Sequence, residues 1–337
     1  MAKRIDDEEL ISLINGHTED ALGYGGEISE QREKSMEYYY GLPFNNEVAG
    51  RSSYVDSTVA DTIEWIMPSL RRVFASGDEI CVFNPVGPED VEAAKQATDY
   101  VNHVLLKQNP GWTLIYDFFK TALLQKQGFL KVWWAEDESF EREEYENLSD
   151  LELEALLADD AVEVLEHTEL EEDEGLVLHD IVIKRDNTKG QVKVEFVPPD
   201  EFLIARMSLT IQDSLFVCHR VEKTVSELRS MGYEIDPLEL NVGESDFDQM
   251  SGERYSRYAY DNSSNLGIWG NDPNSSADPS TWKFWVHENF IRADANGDGI
   301  AEIMRIVCVG DKILEKEEVD YIPFVSCTPI RIPGKFF

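Results

Sequence analysis

The sequence predicts an α+β fold: an N-terminal helical region with long amphipathic helices, followed by mainly antiparallel β-sheet. Three observations carry that expectation. Apolar residues recur at helical spacing between residues 56 and 124. Apolar–polar alternation replaces that period from residue 128 to 197 and returns after 281. Between the alternating stretches, residues 240–280 are rich in Ser, Asn, Asp and Gly and have no period. The expected organisation is therefore a helical region over 1–127, an acidic α+β region with a β-meander over 128–239, a mobile polar loop over 240–280, and a β-hairpin region over 281–337. With 337 residues and 42% hydrophobic content, the chain can bury a sizeable core.

Residues 1–50 read as helices broken by Gly-rich turns, with "GYGGE" at 23–27 interrupting the first. That stretch lacks the spacing and the preceding strand of a dinucleotide loop. A helix from about Ser29 to Tyr40 should stop at Gly41 and Pro43. Residues 56–75 form a strong amphipathic pattern, with Val59, Ile63, Ile66, Leu70 and Val73 expected to face the core. Pro68 removes one backbone donor and should bend this helix. In "GPEDVEAAKQATDYVNHVLLKQNPG", Pro88 suits the first helical position, and Glu89, Asp90 and Glu92 complement the positive helix start. "NPG" stops that helix, and "WTLIYDFFKTALLQK" starts the next, with Ile115, Phe118, Phe119, Ala122 and Leu123 on one face. Two helices joined by so tight a turn predict an αα-hairpin.

"GFLKVWWAE" at 128–136 reads as a strand. From Glu136 to Glu174 there are 19 acidic residues and one basic residue, Arg142. Inside that run "SDLE" at 149–152 is a capping box, so "LSDLELEALLAD" is a short helix on a solvated acidic face. "VEVLEHTEL", "GLVLHDIVIKRD" and "GQVKVEFV" alternate as an antiparallel meander with turns at "EEDEG" and "DNTKG". "PPDEFLIA" starts another edge, "DSLFVCHRVEK" is a further strand, and "TVSELRSMG" is a short helix boxed by Thr224 and Glu227. "TWKFWVHENFIRAD" and "GIAEIMRIVCVGDKILEKEE" are strands, and "VDYIPFVSCTPIRIPGKFF" is extended.

The net charge of −37 argues against a basic nucleic-acid footprint. It remains compatible with a wall past which DNA slides, because negative surface repels phosphates. Cys81, Cys218, Cys308 and Cys327 are far apart, which argues against a zinc site or disulfide framework. "MAKRIDDEEL" has no apolar signal core, and no run of 18 apolar residues exists, so neither a signal peptide nor a transmembrane helix is expected. The chain carries no GxxxxGK[ST], GxSxG or HExxH motif, and no enzymatic activity is expected.

The best single motif is "DANGDGIAE", residues 294–302. Asp294, Asn296, Asp298 and Gly299 fall on positions 1, 3, 5 and 6 of an EF-hand loop, but position 12 is Arg305 and the flanks are strands. That removes the EF-hand. Two readings stay open. One is a small calcium site built from Asp294, Asn296, Asp298 and Glu302. The other is a hairpin turn in which Asp and Asn bond to backbone amides and "NGDG" supplies positive φ. A calcium-dependent acidic binding or scaffold module is the alternative function this loop suggests.

The stretch "TVADTIEWIMPSLRRVFASGDEICVFNPVGPEDVEAAKQATDYVNHVLLKQNPGWTLIYDFFKTALLQKQGFLKVWW" resembles the N-terminal region of portal proteins of tailed bacteriophages, of the P22-like podovirus type. "LSDLELEALLADDAVEVLEHTE", "FVPPDEFLIAR", "DANGDGIAEIMRIVCVGDKIL" and "PIRIPGKFF" extend the resemblance in the expected order. It implies a structural subunit of a head–tail connector in the virion: a homo-oligomeric, usually dodecameric ring at one capsid vertex, assembled in the host cytoplasm. Double-stranded DNA would be packaged and ejected through it without tight binding. Terminase, the major capsid or scaffolding protein and a head–tail adaptor are the implied partners, with no membrane and no required cofactor. Portals of this type continue past "PIRIPGKFF" into stem, clip and crown helices, so the resemblance implies that this chain is truncated to mainly the outer wing.

Overall fold

In the computed structural model, residues 6–43, 50–52, 54–74, 77, 79–137, 140–157, 162–171, 177–186, 189–237, 253, 278–294 and 297–336 are described. The expected polar loop over 240–280 therefore lies outside the described residues, apart from Glu253 and 278–280. The fold is α+β, as the hydrophobic periods predict. The chain divides into two compact units: one comprises residues 1–131 and 194–337, the other residues 132–193.

The first unit opens with one continuous helix, α1 (Asp7–Tyr40). The expected break at "GYGGE" is absent. Leu10, Ile14, Thr18, Ala21, Gly25, Ile28, Arg32 and Met36 recur every three or four residues and are all buried, giving the helix one long packed face. Each helical glycine costs roughly 1 kcal/mol against alanine, an amount that burial along this face offsets. The stop falls where the sequence placed it: Gly41 takes φ 64°, a left-handed cap.

Helix α2 (Thr58–Phe74) contains Pro68 and packs on α1 and α4 (Gly111–Leu124). Only Ile63 and Met67 of α2 are buried. The five-residue core stripe expected there is therefore largely on the surface, because α2 is packed from one side only. Helix α3 (Val91–His103) also departs from expectation: it does not pack along α4 as an αα-hairpin. Its partner is the preceding extended segment. Asn102 Oδ1 accepts from the amides of Ile80 and Cys81 at 2.8 and 3.1 Å, Asn102 Nδ2 donates to the Cys81 carbonyl at 2.8 Å, and Thr98 Oγ1 accepts from Phe83 N at 3.0 Å. Two buried polar side chains thus replace a strand for a segment that has none.

The body of this unit is an antiparallel sheet of five strands, β6 (Phe202–Ile204), β7 (Phe216–Thr224), β8 (Lys283–Ala293), β9 (Glu302–Val309) and β10 (Lys312–Glu318), in the order β10-β9-β8-β7-β6. Both faces are covered. Cys218, Ile291, Met304 and Ile306 on one face meet Leu10, Ile14 and Ala21 of α1. Val217 and Phe290 on the other meet Phe129, Val197, Ile322, Phe324 and Phe336. Phe129 stacks on Phe202 with centroids 4.2 Å apart. Helix α6 (Val225–Ser230) closes one end over Phe284, Val286, Val307 and Val309.

A second sheet runs in the order β11-β1-β5, using β11 (Phe324–Cys327), β1 (Gly128–Asp137) and β5 (Lys189–Val197). Gly128 enters it so close to helix α4 that a Cβ would sit 2.3 Å from the Phe118 carbonyl oxygen. The third sheet, in the other unit, has the order β2-β4-β3, with β2 (Phe140–Leu148), β3 (Val162–Glu171) and β4 (Val177–Asp186). The meander predicted from β3 through β4 to β5 is therefore corrected. β3 and β4 do form a hairpin, but the second neighbour of β4 is β2, a glutamate-rich strand whose alternation its charges obscure. Ahead of helix α5 (Asp150–Leu157), the amide and hydroxyl of Ser149 both donate to Glu152 Oε2, at 3.0 and 2.7 Å.

Candidate functional site

The loop that the sequence singled out is a closed turn between β8 and β9. Asp294 Oδ1 accepts from the amides of Gly297 and Asp298 at 2.6 and 3.1 Å, and Oδ2 accepts from Gly299 N at 2.8 Å. Asp298 Oδ1 accepts from Ile300 N at 2.7 Å. Gly297 and Gly299 take φ of 83° and 92°, which only glycine adopts without strain. Asn296 lies outside the described residues. Glu302 is the first residue of β9 and pairs in register with Ala293. Asp294 and Asp298 thus share one turn, while Glu302 is set into the ladder. A carboxylate offers about four lone-pair positions, and Asp294 uses three on backbone amides. The geometry supports the hairpin-turn reading, and a cation would find one position left on Asp294. Among the described residues no group of three or more His, Cys, Asp or Glu side chains is arranged to hold a metal ion.

The densest electrostatic cluster is one that sequence reading missed. Glu288 on β8 is nearly buried. Its Oε1 accepts from Arg305 Nε of β9 at 2.7 Å, and its Oε2 is bonded by Lys131 Nζ of β1. Arg305 Nη1 extends the cluster to Glu315 at 3.0 Å and Glu317 at 2.8 Å on β10. Tyr233 donates to Glu315 at 2.9 Å. His219 of β7 lies 3.6 Å from Glu288 and 3.9 Å from Glu201, ion-pair distances rather than hydrogen bonds. Burial alone would raise the Glu288 carboxyl, but His219, Lys131 and Arg305 hold it well below the usual carboxylate range. Burial pulls His219 down, but Glu201 and Glu288 outweigh it and its pKa is raised. Burial, then the Glu315 partner, pushes Tyr233 up to about 12. The cluster ties four strands of one sheet to β1 of another. It presents no paired nucleophile and base, and its chemistry is that of a staple.

The third feature is an apolar surface on α2 and α4. Trp65 is 82% exposed and Val73 72% exposed, with Ile66, Phe74, Trp112 and Tyr116 also on the surface. Between the helices runs a groove of about 250 Å³ lined by Met67, Leu70, Arg71, Trp112, Tyr116 and Phe119. At one side Glu64 accepts from Tyr39 at 2.5 Å and pairs with Lys120 at 3.0 Å. Periodicity located this stripe; it could not show that so little of it would be covered.

In the unit of residues 132–193, Arg185 pairs with Glu143 at 3.3 Å across β4 and β2. His167 of β3 and His179 of β4 sit with ring nitrogens 3.0 Å apart. At that separation one imidazole donates to the other, the tautomers setting which.

No curated protein matches the chain. A protein-family model does: that of the phage SU10 portal protein, over residues 10–337. The match spans the helical region, the acidic unit, the five-stranded sheet and the closing extended segment, and the chain belongs to the phage SU10 portal protein family, a structural family rather than an enzymatic one.

Proposed function

We propose that this chain is a subunit of the ring-shaped channel at a capsid vertex through which double-stranded DNA is packaged and later ejected. Terminase docks on that ring during packaging, and a head–tail adaptor docks afterwards; assembly takes place in the host cytoplasm. The observation that carries this is the family match over residues 10–337. Composition supports it. With 67 acidic against 30 basic residues, the surface repels phosphates, so DNA can pass without being held. We keep the division into a helical region, an acidic region, a polar loop and a terminal hairpin region as part of this proposal, with the wing as their common place in the ring. The test is genetic. A phage with a stop codon early in this reading frame should produce heads without DNA, and supplying the protein in trans should restore packaging. Normal genome content in such heads would overturn the proposal.

A calcium ion at Asp294, Asn296, Asp298 and Glu302 would act within this reading as a local staple of the β8–β9 turn. That Asp294 and Asp298 belong to the same turn is what supports it.

A further inference from the structure

We propose that His167 and His179, with Glu169 beside them, form a site for one divalent transition-metal ion on the β3–β4 hairpin. The site is independent of the ring reading and adds to it.

The first support is the placement of the two histidines. His167 pairs in register with Ile181, and Glu169 with His179, so the histidines are diagonal neighbours on one face of an antiparallel ladder. Their facing nitrogens, His167 Nε2 and His179 Nδ1, are 3.0 Å apart, while the ring centroids are 5.0 Å apart, so the rings meet by their nitrogen-bearing edges. Two nitrogens bound to one ion at about 2.0–2.1 Å, at angles from ~90° to ~109°, are roughly 2.9–3.4 Å apart. The observed separation therefore suits a shared metal ion as well as a shared proton. With the proton of His167 on Nδ1 and that of His179 on Nε2, both facing nitrogens offer lone pairs, and a cation accepts the two together.

The second is the position of a third ligand. Glu169 stands opposite His179 and two residues from His167 on the same strand. Register alone places it, its side chain lying outside the described ones. Residues i and i+2 of one strand and the residue directly across are three positions of one face. Two imidazoles and a carboxylate, completed by water, are a donor set that zinc, nickel and copper accept, whereas calcium and magnesium take oxygen ligands.

The third is the setting. His179 is buried and His167 exposed, which gives the site one fixed ligand and an open side for the ion to enter. From Glu136 to Glu174 the chain has 19 acidic residues and one basic residue, a field that concentrates cations locally. The imidazoles then supply the selectivity among them. The unit of residues 132–193 also has little core: among the described residues its only buried apolar side chains are Ile181 and Ile183. A small sheet with so little buried is where a bound metal adds most to stability.

The experiment titrates the full chain, stripped with EDTA, with zinc chloride and nickel chloride by calorimetry, and with calcium chloride as a control. The expected result is one saturable zinc or nickel site in the micromolar range and no calcium binding there. Bound zinc should also slow amide hydrogen exchange along β3 and β4, and EDTA should reverse the effect. His167→Ala and Glu169→Ala should each weaken zinc binding by roughly tenfold or more. His167 is exposed, so its variant should keep the parent far-UV circular dichroism. His103→Ala, at an exposed histidine of α3, should bind zinc like the parent. Absence of a saturable zinc or nickel site in the parent would reduce the pair to a hydrogen bond and overturn the proposal. Binding undiminished in His167→Ala or Glu169→Ala would place the ion elsewhere and overturn it equally.

Discussion

Glu288 shows what a single residue does in this fold and why the sequence could not announce it. In "WVHENFIRAD" it is one acid in a strand, and Lys131, its partner, is 157 positions away. Removing one member of a buried pair leaves an uncompensated charge, so Glu288→Ala should cost about 3–5 kcal/mol at pH 7, read from urea denaturation. The pH dependence follows from the depressed carboxyl. Its folded pKa is below the unfolded value of 4.5, so the stability it gives is present above pH 4.5 and is lost as pH falls toward the folded value. The variant should therefore show a flatter acid limb than the parent; parallel limbs would remove Glu288 from the account. Asp294 is the opposite case, since its role was half legible. The spacing in "DANGDG" left an ion and a turn both open, with the turn favoured, and three amide donors on one carboxylate support the turn. Calorimetric titration should detect no calcium binding tighter than millimolar, while Asp294→Ala should cost about 0.5–1.5 kcal/mol by removing the acceptor of three amides that water then solvates. Micromolar calcium binding that Asp298→Ala abolishes would instead establish the site.

At the scale of elements, local chemistry was read well and long-range partnership poorly. Gly41 as a helix stop and the box of Thr224 with Glu227 are encoded within four residues, and the structure has both. Helix α1 was misread because glycines were weighed as breakers when the decisive term was burial against a sheet that the chain forms some 200 residues later. That correction has a direct consequence. Gly16 and Gly23 lie inside α1 with nothing within 4 Å of an added Cβ, so Gly16→Ala and Gly23→Ala should each stabilise the protein by roughly 0.5–1 kcal/mol. Gly41→Ala, at φ 64°, should destabilise by about 1 kcal/mol. Shifts in urea midpoint at constant slope check all three, and a loss of stability at Gly16 or Gly23 would mean that α1 is broken as the sequence first suggested. The mispairing of β5 has the same origin. Hairpin logic favours the nearest strand, whereas β5 takes β1 as its neighbour more than fifty residues upstream.

At the scale of the whole molecule, the α+β class was legible because period and charge change together along the chain. The five-stranded sheet was less so, because burial on both faces removes the alternation: Phe216 to Arg220, the first five residues of β7, are all buried, the polar His219 and Arg220 among them. No motif announces a reaction, and the family match explains that silence: the work of a portal subunit lies in its assembly. Among the described residues no helix is long and apolar enough to cross a membrane. The central claim is the ring. Negative-stain electron microscopy of the product of the complete reading frame tests it most directly. The account predicts end-on class averages with rotational symmetry around a central channel wide enough for a DNA duplex; uniformly single, unassembled particles at every concentration would contradict it.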